Sequence, residues 1–250
     1  MNSGVLIIIS AGLCAVISGL FGMAGGMVFM GIIASLMSVS AAMVVHGVVQ
    51  SISNGSRAFI LKSHIRWDIL GWQQLLGALP AIGIMLALSF TPNKAQLFLV
   101  LGLLPFLLWL PRNWLAGDAE KPPHAVLCGA IIMGLNLSAG VAGPALDFFY
   151  VKTGLTRKAI VATKAVTMFA SHMVKIGYFG IPLIAATGLS DLPPIWVFAF
   201  ALPAVIFGTK TGTLLLEKFS DIGFRKYTRI LVTIVGAVYL WRGLDLLAFI

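Results

Sequence analysis

Ten apolar segments follow one another along the chain and are separated by short polar loops. They lie at 4–20, 27–37, 40–60, 69–90, 95–111, 124–138, 143–151, 159–178, 195–215 and 228–248. An α-helix needs about 20 apolar residues to cross a bilayer. Several segments reach that length, whereas 27–37 and 143–151 fall well short of it. The pattern predicts an all-α polytopic membrane protein that contains some helices too short to span.

The composition supports a membrane protein and excludes several other classes. Of the 250 residues, 59% are hydrophobic and 10% are charged, and the mean hydropathy is +1.01. A soluble core of this size could not bury so much apolar surface, which excludes a soluble enzyme, a secreted disulfide-rich domain and a disordered chain. Cys14 and Cys128 lie in separate apolar segments without a CxxC pair, so we expect buried thiols and no metal site.

Basic residues mark some loops and not others, and this distribution predicts the topology. Lys and Arg are concentrated in four loops, at 61–68, 112–123, 152–158 and 216–229, and the net charge is +9. Cytoplasmic loops carry an excess of Lys and Arg. We therefore expect these loops in the cytoplasm, the N-terminus outside, and the protein in the cell inner membrane. The N-terminal segment has no basic region or clear cleavage site, so we expect it to be retained.

Two apolar stretches contain glycine-rich breaks. With the basic loops on one side, 124–151 must begin and end in the cytoplasm, and it is too short for two spans. We predict a re-entrant hairpin broken at SAGVAGP, and a matching hairpin over 4–37 broken at GMAGG. The alternative is that each stretch is one kinked span with an interfacial piece.

The two halves of the chain resemble each other in opposite orientations. Aligning Gly26 with Gly143 aligns both breaks and the long helix after each. We predict two inverted repeats, 1–111 and 124–250, joined by a cytoplasmic linker at 112–123. Each repeat would hold one re-entrant hairpin followed by three transmembrane helices. Inverted repeats with broken helices at matching positions are typical of secondary transporters.

Candidate substrate-binding residues lie at the breaks and in the helix that follows each. Half-helix N-termini expose N–H groups and about half a positive charge, which favours an anion. Lys164 is the first candidate for the charged partner of the anion. Snorkelling to the interface and an ion pair with Asp147 are its alternative roles. Ser18, Ser53, Asn136 and Thr163 are further polar residues nearby. The predicted substrate-binding residues are Gly22, Gly25, Gly26, Gln50, Asn54, Ser138, Gly140, Gly143, Lys164 and Thr167.

Four ionisable residues inside or beside the spans are candidates for a proton or charge relay: His46, Asp147, His172 and Lys175. Ionisable groups within a membrane are rare and usually functional, and histidine titrates near neutral pH. Lys175 lies near the predicted outer end of 159–178, so snorkelling to the interface is its alternative. We expect no cofactor and no metal ion.

The chain resembles the sulfite exporter TauE/SafE family. The resemblance rests on SGLFGMAGG at 18–26, on SAGVAGPAL at 138–146, and on the alanine-rich, small-polar helix after each. It covers essentially the whole chain. It implies secondary transport, usually outward, of small sulfur-containing anions such as sulfite or sulfoacetate. The anion would bind at the midplane between the repeats and move by alternating access. The first break has GMAGGM where family members often have three glycines and a proline.

Other functions stay open alongside this one. A passive anion channel, a permease for another anion such as a carboxylate, and a structural membrane subunit share the same composition. The absence of GxxxxGK[ST], HExxH and GxSxG from the sequence argues against ATP hydrolysis and against an intramembrane enzyme. The expected partners are the anion and the bilayer, with a homodimer left open and no nucleic acid.

Overall fold

The computed structural model describes residues 3–21, 24–110, 117–216 and 221–248, and regular structure in these ranges is entirely helical. The helices are α1 (Ser3–Phe21), α2 (Ala24–Leu36), α3 (Val39–Ile60), α4 (Trp67–Ala87), α5 (Lys94–Trp109), α6 (Pro122–Ala139), α7 (Gly143–Phe148), α8 (Arg157–Thr187), α9 (Ile195–Leu216) and α10 (Asp221–Ala248). A short 3₁₀ turn, Lys62–His64, lies between α3 and α4.

Five of the described helices are long and apolar enough to cross a membrane, namely α4, α6, α8, α9 and α10. Their outward faces carry large exposed apolar side chains, including Ile181, Ile195, Phe207 and Trp241. In water such a surface would be an aggregation hazard, but lipid tails solvate it well. The prediction of an all-helical, multi-pass membrane protein is confirmed.

Polar side chains set the start of several helices. Ser38 and Thr156 accept hydrogen bonds from Ala41 N and Ala159 N at the starts of α3 and α8. Asn93 and Gln96 form a reciprocal capping box at the start of α5. These contacts satisfy N–H groups that have no partner within the helix.

Helix α8 is longer than the predicted segment 159–178. It runs for 31 residues and continues through Pro182 to Thr187, a length of about 46 Å at 1.5 Å per residue. The predicted loop at 180–194 therefore begins too early. The apolar residues Ile181, Leu183 and Ile184 continue the helical pattern, and the proline does not end it. Lys175 consequently lies inside the helix and not near its end.

Four helix pairs dominate the packing, and each joins the two halves of the chain. Helix α3 packs along α8, α5 along α10, α1 along α9, and α4 along α6. Glycines bring the backbones close: a Cβ at Gly129 of α6 would lie 1.9 Å from the Gln73 carbonyl oxygen of α4. A Cβ at Gly208 of α9 would lie 2.5 Å from the Gly12 carbonyl oxygen of α1. The halves are thus interlocked and do not form separate lobes.

Candidate functional site

A cavity of about 170 Å³ lies between α3 and α8, beside the starts of α2 and α7. Both halves of the chain contribute to it. Its lining residues are Ser18, Gly26, His46, Gln50, Ser53, Asn54, Arg57, Val141, Gly143, Leu146, Val161, Lys164, Ala165, Met168 and His172.

The cavity has an open end and a closed end. The open end lies where α3 ends and α8 begins, beside Arg57 and Lys164, and the Asp147 side chain there is 44% exposed. The closed end is formed by His46 and His172, which are each 1% exposed. Beyond them, Val44 and Phe179 belong to the buried hydrophobic core, and Leu183 is also buried. The cavity therefore reaches from one surface to about the middle of α3 and α8.

Hydrogen bonds tie together the loops around the open end. Glu120 accepts one hydrogen bond from Arg66 Nη1 at 3.1 Å and another from Gly154 N at 2.7 Å. The Arg66 backbone N–H donates to Thr163 Oγ1 at 3.1 Å. Hydrogen bonds to Asp68 and then to Glu120 raise the pKa of the Arg66 guanidinium above its ordinary value, so this exposed cation keeps its charge. The loop before α4, the linker before α6 and the loop before α8 are joined at this rim.

Arg57 is the cation of the cavity that has no acidic partner. Its side chain is partly buried in the wall, and no carboxylate of the described residues forms an ion pair with it. From the sequence, Arg57 is one of the basic residues clustered around the 61–68 loop, and its position in the cavity wall was not predicted. The spacing of His46, Gln50, Asn54 and Arg57 at intervals of three or four residues was the available signal, because such residues share one face of a helix.

Lys164 is paired within the protein. Its ammonium group forms an ion pair with a carboxylate oxygen of Asp147, and its side chain is 19% exposed. This is one of the alternative roles that the sequence left open for Lys164. Its charge still faces the cavity, but a carboxylate accompanies it.

Lys175 lies behind the closed end and is fully buried. Its Nζ is 2.9 Å from His46 Nδ1, 2.8 Å from the Gly140 carbonyl oxygen and 3.4 Å from Asn136 Oδ1. His46 Nε2 is 2.9 Å from the Gly26 carbonyl oxygen. One chain of hydrogen bonds therefore joins the break before α2 to the break after α6. Snorkelling of Lys175 does not occur in this structure.

Gly140 gives the second break its shape. It ends α6 in the left-handed region, with φ of 74°, a conformation that costs little only for glycine. A Cβ there would also lie 2.9 Å from Met30 Sδ and 3.0 Å from Met43 Sδ. Glycine thus lets the chain turn and places the carbonyl oxygen of Gly140 against Lys175.

The structure brings together only some of the predicted site residues. Five predicted substrate-binding residues and two relay candidates line the cavity. They are Gly26, Gln50, Asn54, Gly143 and Lys164, with His46 and His172. Of the further polar residues, Ser18 and Ser53 also line it.

The other predicted residues have other surroundings. Gly25 lies against α1, where a Cβ would meet the Cys14 carbonyl oxygen at 1.9 Å. Ser138 donates to the Leu135 carbonyl oxygen at 3.3 Å. Thr167 donates to Gln73 Oε1 at 2.7 Å, against a π-helical turn of α4. Gly22 lies outside the described residues.

A polar, cation-bearing cavity between two halves of a helical membrane protein is the kind of site that secondary transporters have. The comparison with protein families agrees. The model of the sulfite exporter TauE/SafE family matches residues 7–239, and the chain belongs to this family. Membership implies membrane transport of sulfite or sulfonate-type anions and a transporter in place of an enzyme. The family indicated by the two break motifs is confirmed. No curated protein and no solved structure gives a significant match.

Proposed function

We propose that the cavity binds one small sulfite or sulfonate-type anion and that the protein carries it across the cell inner membrane. The observation that carries this proposal is the unpaired guanidinium of Arg57 in the cavity wall. A guanidinium presents two parallel N–H groups, which match two oxygens of a sulfonate or sulfite. A permanent cation in a half-buried site needs an anion, and no carboxylate of the described residues pairs with this one.

Polar groups along the same wall complete the proposed site. The Gln50 amide lies against Gly26, where a Cβ would be 2.2 Å from Nε2, and it makes no hydrogen bond within the described residues. Asn54 Nδ2 donates to the backbone carbonyl oxygen of Gln50 at 2.9 Å. This hydrogen bond holds the Asn54 side-chain amide beside Arg57. Lys164 and the backbone at Gly143 face the same space. Four predicted residues do not line the cavity and have packing or positioning roles in this proposal: Ser138, Thr167, Gly25 and Gly140.

The proposed architecture is two inverted repeats, 1–111 and 124–250, with re-entrant hairpins at the two breaks. The helix pairing supports it. Exchanging α1–α5 for α6–α10 in chain order turns the α1–α9 pair into the α6–α4 pair, and leaves the α3–α8 and α5–α10 pairs unchanged. A twofold relation between halves produces this pattern. With the basic loops in the cytoplasm, the N-terminus lies outside and the cavity opens to the cytoplasm.

Alternating access is the proposed transport mechanism. The cavity reaches one surface, and buried apolar residues such as Phe179 and Leu183 close the other end. Opening the far end would require α3 and α8 to separate there and approach each other near Arg57. Saturable flux and counterflow would support a carrier, whereas flux without saturation or counterflow would indicate a passive channel.

The test is anion binding and transport by Arg57→Gln, with Lys152→Gln as the control. Lys152 is exposed in the loop before α8, so its change removes the same charge at the same end without touching the cavity. A hydrogen bond to a charged group contributes about 1.5–3 kcal/mol, so Arg57→Gln should weaken isethionate binding by about 10- to 100-fold. Thermal shift of detergent-purified protein measures binding, and uptake into proteoliposomes measures transport.

Two results would contradict the proposal. Wild-type affinity and flux in a folded Arg57→Gln variant would remove Arg57 from the site. A thermal shift with acetate and other carboxylates but with neither sulfite nor isethionate would remove the sulfonate assignment. At about 100 times its dissociation constant, a ligand stabilises the folded state by about 2.7 kcal/mol, which is a readily measured shift.

A further inference from the structure

The hydrogen bonds of Lys175 and His46 define how many protons this pair holds. The Gly26 carbonyl oxygen only accepts, so His46 Nε2, 2.9 Å away, must carry a hydrogen. A neutral His46 then has a lone pair on Nδ1, which accepts from Lys175 Nζ at 2.9 Å. The ammonium group has three N–H bonds, and its other two point to Gly140 and Asn136. The arrangement is complete when the pair carries one positive charge.

Among the residues that the structure describes, that charge has no negative partner. The described contacts of Lys175 are an imidazole, a carbonyl and an amide, and no ion pair is formed with it. A lysine charge buried at 0% exposure is costly without a counter-charge. The deprotonated amine avoids that cost, and its two remaining N–H bonds can still be donated to two of the same three acceptors. The protonation of this pair therefore depends on whether a negative charge lies nearby.

The cavity places an anion next to this pair. His46 belongs both to the pair and to the cavity wall. His172 also lines the cavity, with its ring centre 5.4 Å from that of His46. His172 Nδ1 is buried and has no hydrogen-bond partner. An unpartnered polar atom in the closed end of a cavity is a position where a ligand oxygen or a proton is accommodated.

We propose that the cluster of His46, His172 and Lys175 takes up one proton when an anion enters the cavity and releases it when the anion leaves. The inference rests on the proposed function and deepens it, because it makes the transporter proton-coupled. The proton comes from water in the open cavity, and it resides as the third N–H bond of the Lys175 ammonium. A monovalent anion then crosses together with one proton, and no net charge moves.

In the part of the chain that the structure describes, the other titratable or charged groups around the cluster lie along the cavity and its wall. Helix α2 contributes a backbone carbonyl and α6 contributes an amide, neither of which titrates. The groups that face the same cavity or flank its wall are Arg57 on α3, Lys164 on α8, Asp147 on α7 and Cys14 on α1. Arg57 stays charged at every accessible pH, and Lys164 already has Asp147 as its counter-charge. Lys175 and the two histidines are left to bind the linked proton.

The test is a count of the protons taken up on anion binding, made by isothermal titration calorimetry with isethionate. Isethionate keeps its charge across the pH range of the experiment, whereas sulfite itself takes up a proton near neutral pH. The buffers are Bis-Tris, imidazole and Tris, because many common buffers are themselves sulfonates. The dependence of the measured heat on the ionisation enthalpy of the buffer gives the number of protons. We expect net uptake, with an affinity that weakens as pH rises, by up to about tenfold per pH unit.

Two variants separate the proton from the charge. In Lys175→Arg the positive charge is permanent, so isethionate should still bind but with no linked proton. In Lys175→Met both the charge and the proton are lost, so affinity should also fall, by about tenfold or more. Lys152→Met is the control and should keep the proton linkage of the wild type. In proteoliposomes that contain a pH-sensitive dye, isethionate flux should carry protons in the wild type and none in the arginine variant.

Wild-type binding of isethionate without proton uptake between about pH 6 and pH 8 would overturn this inference and leave the proposed function standing. Retention of the linkage in a folded Lys175→Arg protein would equally overturn it. The absence of any binding of isethionate and sulfite would overturn the proposed function itself, and the inference with it. If a Lys175 variant fails to fold, the proton count of the wild type still decides.

Discussion

Helix α8 has one lysine at the open end of the cavity and another behind its closed end, and the two differ in their partners and burial. Lys164 at the open end has a carboxylate partner, Asp147, and part of its surface meets solvent. Lys175 lies eleven residues after Lys164 on α8 and is fully buried. Its partners are an imidazole, a carbonyl and an amide. Within the described ranges, the charge of the first lysine has a counter-charge and that of the second has none.

This difference indicates which of the two lysines a bound anion affects more. An anion near Lys164 would compete with Asp147, which already stabilises the charge of this lysine, so the anion would add little stabilisation. In the proposed mechanism, an anion near Lys175 supplies a counter-charge that no described residue provides, so we expect its effect on that lysine to be large. The identity of the neighbouring side chains, more than the presence of a lysine in a span, therefore decides which cation responds to substrate. Three predictions test the comparison.

The largest effect is expected when the closed end is made to resemble the open end, by Asn136→Asp. Asn136 Oδ1 is 3.4 Å from Lys175 Nζ, so the new carboxylate can pair with the ammonium with almost no change in shape. Lys175 would then stay protonated without an anion. Proton uptake on isethionate binding should disappear, and affinity should fall by about 10- to 100-fold, the equivalent of one charged hydrogen bond. Calorimetry in the three cationic buffers measures both.

Asn93→Asp is the control for that change. Asn93 is the N-cap of α5, far along the chain from the cavity lining, and aspartate caps a helix as well as asparagine does. This variant should keep wild-type affinity and proton uptake. An Asn136→Asp protein with undiminished proton uptake would show that Lys175 is not the group that responds to the anion.

The second effect concerns the backbone that holds the closed end. Gly140→Ala would place a side chain at φ of 74° and bring its Cβ to within 2.9 Å of Met30 Sδ. Strain of this kind costs about 1–3 kcal/mol, and it would move the carbonyl oxygen that accepts from Lys175. The free energy of unfolding in detergent should fall by this amount.

Gly134→Ala is the matched control, because it lies in the same helix and a Cβ there meets nothing within 4 Å. Alanine favours a helix over glycine by about 1 kcal/mol, so this variant should be as stable as the wild type or more so. Equal stability of the Gly134→Ala and Gly140→Ala proteins would mean that the turn after α6 is not built on the left-handed glycine.

Much of this architecture could be predicted from the sequence, because apolar segments, basic loops and glycine breaks are local patterns. The end of α8 could not, since the predicted apolar segment stops at residue 178, whereas the helix continues through Pro182 to Thr187. The surroundings of Lys175 were also beyond a local pattern. Its partners His46 and Gly140 lie 129 and 35 residues away in the chain, and their approach depends on how α3, α6 and α8 pack.

Arg57 shows a different limit of sequence reasoning. A basic residue near the end of a span is normally a topology marker, and Arg57 fits that description as well as Lys62 does. The packing of α3 against α8 places Arg57 in the cavity wall and leaves Lys62 exposed. By contrast, the ion pair between Lys164 and Asp147 was one of the roles foreseen for that lysine, because Asp147 directly follows the second break and carries the opposite charge.

The smallest effect is expected when the open end is made to resemble the closed end, by Asp147→Asn. This change leaves Lys164 without its carboxylate, so an entering anion meets two unpaired cations, Arg57 and Lys164. The ion pair is partly exposed, and such pairs are worth about 0–1 kcal/mol. Isethionate affinity should therefore rise by no more than about fivefold, and the gain should shrink as salt is added. Asp245→Asn, which removes the carboxylate from the exposed pair with Arg242, should leave affinity unchanged. A fall in affinity in the Asp147→Asn protein would mean that Asp147 holds Lys164 in position for the anion, and the two ends would then differ less than their contacts indicate.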